Sequence, residues 1–223
     1  MKKVTALTLL LSLFALLFSS CASEYFHTPN DLYRMKGTVY LRDGTQKQGA
    51  LTVLFENGIQ ANPFSISLVP AGSETAEYLK FTDVAAYVIN GETYVPKRIN
   101  LNTAGINHDL FVKRLSDGKA KIQLYELQQK RKSSDTGEET SFYFIGVPAY
   151  SATELIELHS ALLVPGFEEK MSAFVADCPA LSAKIKNKEG GYVYSYLSSE
   201  YKKLEVMKRI IDEYTSCQSK PGN

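Results

Sequence analysis

The sequence contains no tryptophan and only three histidines in 223 residues. Glycan-binding proteins often stack sugar rings on flat aromatic side chains, so the lack of Trp counts against such a site. Tyr can replace Trp, and Tyr87, Tyr94 and Tyr125 fall in predicted strands, but tyrosines on strands mostly pack across the sheet. Capture of a glycan or another small ligand is therefore an alternative hypothesis, not the leading one.

Positive and negative side chains are nearly equal in number. The chain has 25 Lys and Arg against 24 Asp and Glu, and removing residues 1–20, which hold two lysines and no acid, leaves 23 against 24. A mature side-chain charge of −1 calls for neither a nucleic acid nor an anionic membrane surface as a partner. The hydrophobic content of 44% is ordinary for a folded chain, so we do not expect disorder.

Motifs for metal binding and catalysis are also missing. The sequence has no His-x-x-x-His, no Cys-x-x-Cys, no calcium loop and no phosphate-cradling glycine loop, so we expect no metal and no cofactor. A nucleophile needs a base beside it, and Cys178 with His159 is the one pair to weigh. No protease or lipase motif surrounds Cys178. We therefore predict that the protein is not an enzyme and assign no catalytic residue.

An apolar run at the N-terminus, residues 4–18, follows Lys2 and Lys3. Its length of about 15 residues is less than the roughly 20 that a membrane-spanning helix needs. The small residues Ser19 and Ser20 come after it. A basic start, a short apolar run and small residues before a cleavage point predict a signal peptide over residues 1–20.

Residues 17–21, Leu-Phe-Ser-Ser-Cys, resemble the lipobox of bacterial lipoproteins. The resemblance implies cleavage by signal peptidase II before Cys21 and lipidation of Cys21, by palmitate among other acyl chains. Phe18 stands where that box prefers leucine. Ala22 replaces the aspartate that resembles an inner-membrane retention signal, which favours a lipid-anchored protein of the outer membrane, facing either the periplasm or the cell surface.

The mature chain begins with a polar segment and continues with alternating residues. Residues 21–33 show no sustained periodicity and are interpreted as a lipidated tether. Residues 34–148 place apolar side chains at every second position, which predicts about eight to ten strands. So many strands favour an antiparallel β-meander folded as a sandwich or a partly closed barrel. Four dipeptides suit tight turns between strands: Asp43-Gly44, Asn57-Gly58, Asn90-Gly91 and Asp117-Gly118.

From residue 149 to residue 217 the apolar period becomes helical, which makes the predicted fold class α+β, and residues 218–223 form a tail. A Ser-x-x-Glu capping pattern at residues 151–154 begins a predicted helix that reaches residue 163. Two further helices are predicted over residues 167–178 and 179–186. The last helix has one apolar face, formed by Leu197, Tyr201, Leu204, Met207, Ile211, Tyr214 and Cys217.

Cys178 and Cys217 are the even pair that remains once Cys21 is assigned to lipid. The envelope outside the inner membrane permits disulfides. Both cysteines lie on apolar faces of predicted helices, and Gly190-Gly191 between them lets the last helix fold back. We predict a disulfide between Cys178 and Cys217.

The leading functional hypothesis is a lipid-anchored, non-catalytic module that binds or scaffolds another envelope protein through a sheet face, a sheet edge or its helices. The alternative is capture of a small ligand or glycan in the mouth of the β part, and an enzyme comes third. A buried titratable cluster in a deep pocket favours an enzyme, whereas an exposed apolar patch away from any pocket favours the binding module. Residues 111–125 and 177–185 resemble segments of uncharacterised secreted proteins of Gram-negative bacteria, and this resemblance adds no functional residue.

Overall fold

The computed structural model describes residues 23–55, 65–100, 107–118, 120–130, 139–147 and 155–219. The strands in these ranges are β1 Tyr25–Thr28, β2 Asp31–Leu41, β3 Gln46–Leu54, β4 Ser65–Pro70, β5 Glu77–Lys80, β6 Val84–Ile89, β7 Glu92–Asn100, β8 Asn107–Arg114, β9 Gln123–Lys130, β10 Glu139–Gly146 and β11 Ile156–Glu157. The helices are α1 Phe167–Phe174, α2 Pro179–Lys186 and α3 Glu200–Gln218.

All eleven strands belong to one antiparallel sheet that is not closed. Their order is β11-β10-β9-β8-β7-β6-β2-β3-β4-β5, and β1 pairs with β2 beside this path. Most neighbours in the sheet are also neighbours along the chain, as in a meander. The predicted α+β class, a β-meander followed by a helical part, is confirmed.

Tight turns form at two of the four predicted dipeptides. Asn90 and Gly91 have φ angles of 53° and 79° and join β6 to β7, and Gly44 at φ 88° lies between β2 and β3. Positive φ at consecutive turn positions matches the twist of the flanking strands. Asn57-Gly58 lies outside the described residues. The prediction of a tight hairpin at Asp117-Gly118 is wrong, because Gly118 has no positive φ and several residues separate β8 from β9.

Buried side chains cover both faces of the sheet. On β8, Phe111 belongs to one cluster and the next residue, Val112, to another, as the period of two requires. The first cluster lies among β2 to β8, the second lies between β7 and β10 on the opposite face, and the third joins β9, β10 and β11 to the helices. We call the second cluster the middle core and the third the helix-side core.

The interpretation of residues 21–33 as a tether is wrong for residues 25–33, which form β1 and the start of β2. Asn30 is fully buried: its Nδ2 donates to the Phe111 carbonyl at 2.9 Å, and its Oδ1 accepts from the Phe111 N–H at 2.8 Å. Tyr87 Oη donates to the Pro29 carbonyl at 2.6 Å. Burial of these polar side chains is tolerated because each one forms a hydrogen bond with a backbone group far away in the sequence.

The helix predicted over residues 152–163 is also wrong where the structure describes it. Residues 155–163 hold the short strand β11 and a turn. Ile156 pairs with Ile145 of β10, and both Ile156 and Leu158 are buried. Pairing with the open edge of β10 therefore determines the local structure here, and the capping pattern at residues 151–154 lies outside the described residues.

The three remaining helices form where they were predicted, but α1 ends at Phe174, short of the predicted end at Cys178. α2 has the predicted bounds and begins with Pro179 at its first position, where a missing N–H costs nothing. α3 begins after Ser199, whose Oγ accepts from the Lys202 N–H at 3.2 Å. Its buried face consists of Lys203, Val206, Met207, Ile210, Ile211 and Tyr214.

Two residues assigned to the apolar face of the last helix are exposed instead. Leu197 lies before the helix and is 91% exposed, and Tyr201 in the first turn is 70% exposed. The buried face starts at Lys203, so the first turn of α3 extends beyond the core that the rest of the helix covers. The assignment of Leu197 and Tyr201 to the core is therefore wrong.

Candidate functional site

Two of the three site residues predicted from sequence come together. The sulfur atoms of Cys178 and Cys217 are 2.18 Å apart and their Cα atoms 6.2 Å apart, which is a disulfide-distance pair linking the start of α2 to the end of α3. Cys21 lies outside the described residues. The alternative pairing of Cys178 with His159 does not form, because His159 contacts Glu200 and Lys203.

Exposed apolar side chains gather where α3 begins. Leu162, Tyr196, Leu197 and Tyr201 are four of the six large exposed hydrophobic residues that the described part of the chain contains. We call these four residues the apolar patch. The ring of Tyr196 packs edge-on against the ring of His159 at 4.3 Å, which places the turn carrying Leu162 beside the segment carrying the other three residues.

Three charged or titratable side chains lie directly beside this patch. Lys203 has a fully buried side chain, and its Nζ donates to Glu200 Oε1 at 2.6 Å and lies 2.6 Å from His159 Nδ1. An ammonium group has only donors, so Nδ1 of His159 acts as the acceptor. We call Lys203, Glu200 and His159 the ion cluster. Its hydrogen bonds tie α3 to the turn after β11.

Burial and hydrogen bonding act in opposite directions on the acids around the ion cluster. Burial acts to raise the pKa of Glu200, but the hydrogen bond from Lys203 and the neighbouring His159 outweigh it and hold that pKa below its usual value. Burial raises the pKa of Glu157, and nearby His159 offsets part of the rise. The cluster is therefore an internally paired network in which Lys203 has its charge compensated.

Short-range hydrogen bonds fix the segment that presents the patch. The Ser195 N–H donates to Ser198 Oγ at 3.0 Å, which closes the turn just before the Ser199 cap. Tyr194 Oη donates to the Leu158 carbonyl at 2.9 Å. The backbone on both sides of Tyr196 is therefore held in place, so its exposed side chain does not sit on a loose loop.

A cavity of about 540 Å³ lies elsewhere, in the sheet. Its walls combine apolar side chains with three cations and one acid, contributed by Arg42, Phe81, Thr82, Ala85, Val95, Pro96, Lys97, Arg98, Asp109 and Tyr125. We call it the groove. None of its lining residues belongs to the ion cluster or to the apolar patch, so the titratable cluster is not in this pocket and the patch is away from it.

The other residues weighed for chemistry are placed apart. Tyr87, Tyr94 and Tyr125 are buried; of the three, Tyr125 lines the groove, where Lys97 Nζ lies 5.0 Å from the centroid of its ring. His27 lies on β1 beside Tyr25, and His108 lies on β8 opposite Ile99. Among the described residues there is no group of three or more His, Cys, Asp or Glu that could hold a metal ion.

Comparison with protein-family models, with curated proteins and with solved structures finds no match to this chain. Within the described residues, no helix has the length and apolar character that crossing a membrane requires. The ion cluster and the groove were not predicted from the sequence. One signal for each was present: Lys203 falls among the apolar positions of the last helix, and Lys97 falls among the apolar positions of β7.

Proposed function

We propose that this protein is a lipid-anchored, non-catalytic binding module of the bacterial outer membrane, and that it docks another envelope protein through the apolar patch. The observation that carries the proposal is the exposure of Leu197 and Tyr201 in the segment of Tyr196, whose ring contacts His159 in the turn that carries exposed Leu162. Apolar side chains that gather on a surface mark interaction sites more often than single exposed ones do.

The composition of the patch supports a protein as the partner. Tyrosine is enriched in the centres of protein interfaces, where its ring fills a pocket and its hydroxyl finds a hydrogen bond. Two of the four patch residues are tyrosines. Exposed Lys202 and half-exposed Glu200, on either side of Tyr201, offset each other, so this surface has no excess of the basic side chains that favour an anionic membrane surface.

The rigidity of the patch also supports docking. The ion cluster, the Ser199 cap and the Ser195–Ser198 turn hold its backbone before any partner arrives. A surface that is already ordered loses less conformational entropy on association than a loose loop does. This is the role we assign to Lys203, Glu200 and His159. They support the binding surface, and their polar groups bond to one another.

The short connection to Cys21 bears on where the partner lies. Only residues 22–24 separate Cys21 from β1. At about 3.6 Å per residue at most, this stretch keeps Tyr25 within about 14 Å of a lipidated Cys21. A lipid on Cys21 would thus hold the sheet close to the membrane, and we propose a partner that is embedded in or attached to the same membrane.

Affinity purification from crosslinked envelopes tests the docking surface. We expect the wild-type protein to recover a partner that Leu197→Asp loses. Tyr78→Ser is the matched control, because Tyr78 is an exposed aromatic residue on β5, outside the patch, and it should recover the partner unchanged. Equal recovery by all three proteins, or no partner with the wild type, contradicts the proposal. Loss of binding to pure lipid vesicles by Leu197→Asp would assign the patch to the bilayer and contradict it as well.

The anchor has its own test. Cys21→Ser should abolish labelling by a radiolabelled fatty acid and release the protein from the membrane fraction. Each buried CH₂ contributes about 0.8 kcal/mol, so the acyl chains of a lipoprotein make anchoring effectively permanent. Unchanged membrane retention of the Cys21→Ser protein would contradict the anchor.

A further inference from the structure

The groove lies at a gap in the sheet. β6 and β7 pair only from Ile89↔Glu92 to Tyr87↔Tyr94, although β7 continues to Asn100. Pro96 has no N–H to donate at the place where the next pairs would form. Beyond Tyr94, β7 pairs only with β8 on its other side, and the early residues of β6 pair with β2. The cavity of about 540 Å³ lies where these strands separate.

Lys97 is an unusual residue for its position on β7. It stands between Val95 and Ile99, which both face the middle core, and opposite Leu110 of β8. Its Nζ lies 5.0 Å from the centroid of the Tyr125 ring. Among the described residues no carboxylate lies within ion-pair distance of Lys97. Burial, and to a lesser degree the charge of Arg42, lower the pKa of Lys97.

Arg42 is the second uncompensated cation of the groove. Its Nε donates to the Thr82 carbonyl at 2.9 Å, and its backbone N–H donates to the Asp83 carbonyl at 2.8 Å. These bonds hold the guanidinium at the groove and leave its two terminal nitrogens without a carboxylate among the described residues. A planar guanidinium presented in this way suits the oxygens of a carboxylate or phosphate.

The other charges of the groove cancel each other. Arg98 and Asp109 face each other across β7 and β8, with Nε to Oδ1 at 2.9 Å and Nη2 to Oδ2 at 3.3 Å. Arg42 and Lys97 therefore give the groove its net positive charge. Phe81, Val95 and Pro96 add an apolar wall. Two cations that repel each other beside an apolar wall favour an occupant that carries negative charge at one end and apolar surface at the other.

We propose that the groove is a binding site for a small organic anion, whose carboxylate or phosphate group lies between Arg42 and Lys97 and whose apolar part lies against Phe81, Val95 and Pro96. The site is independent of the apolar patch, with which it shares no residue, so either proposal can fail without the other. A free metabolite and a lipid headgroup both present this chemistry.

Calorimetric titration of the purified full chain tests the site. The probes are phenyl phosphate, which has both an anionic and an apolar part, inorganic phosphate, which lacks the ring, and benzyl alcohol, which lacks the charge. We expect phenyl phosphate to bind most tightly, inorganic phosphate more weakly, and benzyl alcohol not at all. High salt should weaken binding of phenyl phosphate, because the groove is open to solvent and its charges are screened. Absence of phenyl phosphate binding, or equal binding of benzyl alcohol, overturns the proposal.

Variants then locate the binding. Lys97→Met and Arg42→Gln should each weaken phenyl phosphate binding by about tenfold or more, which is the effect of losing one hydrogen bond to a charged group. Lys36→Met is the matched control, because Lys36 is an exposed lysine of the same sheet outside the groove. Lys97→Met places an apolar side chain in an apolar row, so its thermal midpoint should be no lower than that of the wild type. Equal affinity in the Lys97→Met and Lys36→Met proteins overturns the proposal.

Vesicles distinguish the two sources of the anion. If the occupant is a lipid headgroup, the Cys21→Ser protein should bind phosphatidylglycerol vesicles but not phosphatidylcholine vesicles, and Lys97→Met should abolish that binding. If it is a free metabolite, neither kind of vesicle should be bound while phenyl phosphate still is. Vesicle binding that survives both Lys97→Met and Arg42→Gln, with no phenyl phosphate binding, overturns the groove as the anion site.

Discussion

β9 and β10 pair along the whole length of β10, from Glu139↔Lys130 to Gly146↔Gln123, whereas α1 and α2 contain only 8 residues each. Helices shorter than about 12–15 residues are marginal on their own. The sheet is therefore held by backbone ladders between strands, and the helical part by its contacts with the helix-side core and by the bond between Cys178 and Cys217.

The same two regions differ in the surfaces that they expose. The sheet offers a concave groove with charges inside it, and the helical part offers an apolar patch that protrudes from the start of α3. In both cases a lysine stands in an apolar row: Lys97 on β7 and Lys203 on α3. Lys203 has a carboxylate partner and Lys97 has none among the described residues, which is why we assign a supporting role to the first and ligand binding to the second.

Removing the disulfide should have the largest effect and should separate the two regions. The bond closes a loop with a sequence separation of 39, so Cys178→Ala with Cys217→Ala should destabilise the folded state by up to about 4 kcal/mol. The loss should fall on α1, α2 and α3. Urea denaturation combined with amide exchange measures it. Equal loss of protection in the β2–β3 ladder and in α3 would contradict the separation of the two regions.

Changes in the ion cluster should have the next largest effect. Glu200→Gln leaves the buried Lys203 without its carboxylate and should cost about 1–2 kcal/mol, because Glu200 itself is half-exposed. Lys203→Met removes the buried charge altogether and should be nearly neutral or stabilising. Chemical denaturation of the two variants compares these costs. A larger cost for Lys203→Met than for Glu200→Gln would contradict the expectation that the cost comes from leaving the buried charge of Lys203 without a carboxylate.

Glycine substitutions in the sheet should have a smaller effect and leave the helices intact. Gly91→Val should cost about 1 kcal/mol or more, because a β-branched side chain is strained at φ 79°. Gly118→Val should cost less, since the added Cβ would meet only the end of the Arg114 side chain, at 2.7 Å from Nη1. Thermal denaturation of both variants measures the difference, and an equal cost would contradict the turn assignment.

Acidification should produce the smallest effect and should loosen the contacts of the helical part. Hydrogen bonds from Lys121 and Tyr214 lower the pKa of Asp177, and those from Lys184 and Tyr192 lower that of Glu213. Carboxylates with a lowered folded-state pKa stabilise the fold above their unfolded pKa of about 4, and this stabilisation is lost as the pH falls through the folded value. Amide exchange in α3 as a function of pH measures the loss.

Lys121→Met provides the control for this pH dependence. The Lys121 Nζ donates to Asp177 Oδ2 at 2.7 Å and links the loop before β9 to the helical part. Without Lys121, less stabilisation is present at neutral pH, and the difference between neutral and acid conditions should shrink. A pH dependence that is unchanged in Lys121→Met would contradict the role of this pair.

Local patterns were sufficient to predict the regular parts of the fold. Alternating apolar residues with Asn90-Gly91 between them predicted the β6–β7 hairpin, and Pro179 with a helical period predicted α2. The pairing of Cys178 with Cys217 followed from cysteine number and compartment, and it agrees with the structure. The turn and the helix are determined by residues that are close together in the sequence, and the disulfide joins the two cysteines that remain after Cys21.

Long-range contacts explain what the sequence did not reveal. Asn30 is held in the sheet by hydrogen bonds to the backbone of Phe111, which lies 81 residues away. The residues around Asn30 do not predict that contact. Ile156 joins the edge of β10 although its neighbours have a helical period. Leu197 has the right type of side chain for the apolar face of α3 but precedes the helix. The groove forms where β6 and β7 separate. The alternation of apolar and polar residues along the chain does not show where two strands separate.

The most direct test of the central proposal is photo-crosslinking in the intact envelope. A photoreactive amino acid replaces Leu197 in one protein and Tyr78, an exposed control position on β5, in another. We predict one discrete protein adduct from position 197 that is absent from position 78. No protein adduct from position 197, adducts to lipid alone, or the same adducts from both positions would contradict docking through the apolar patch.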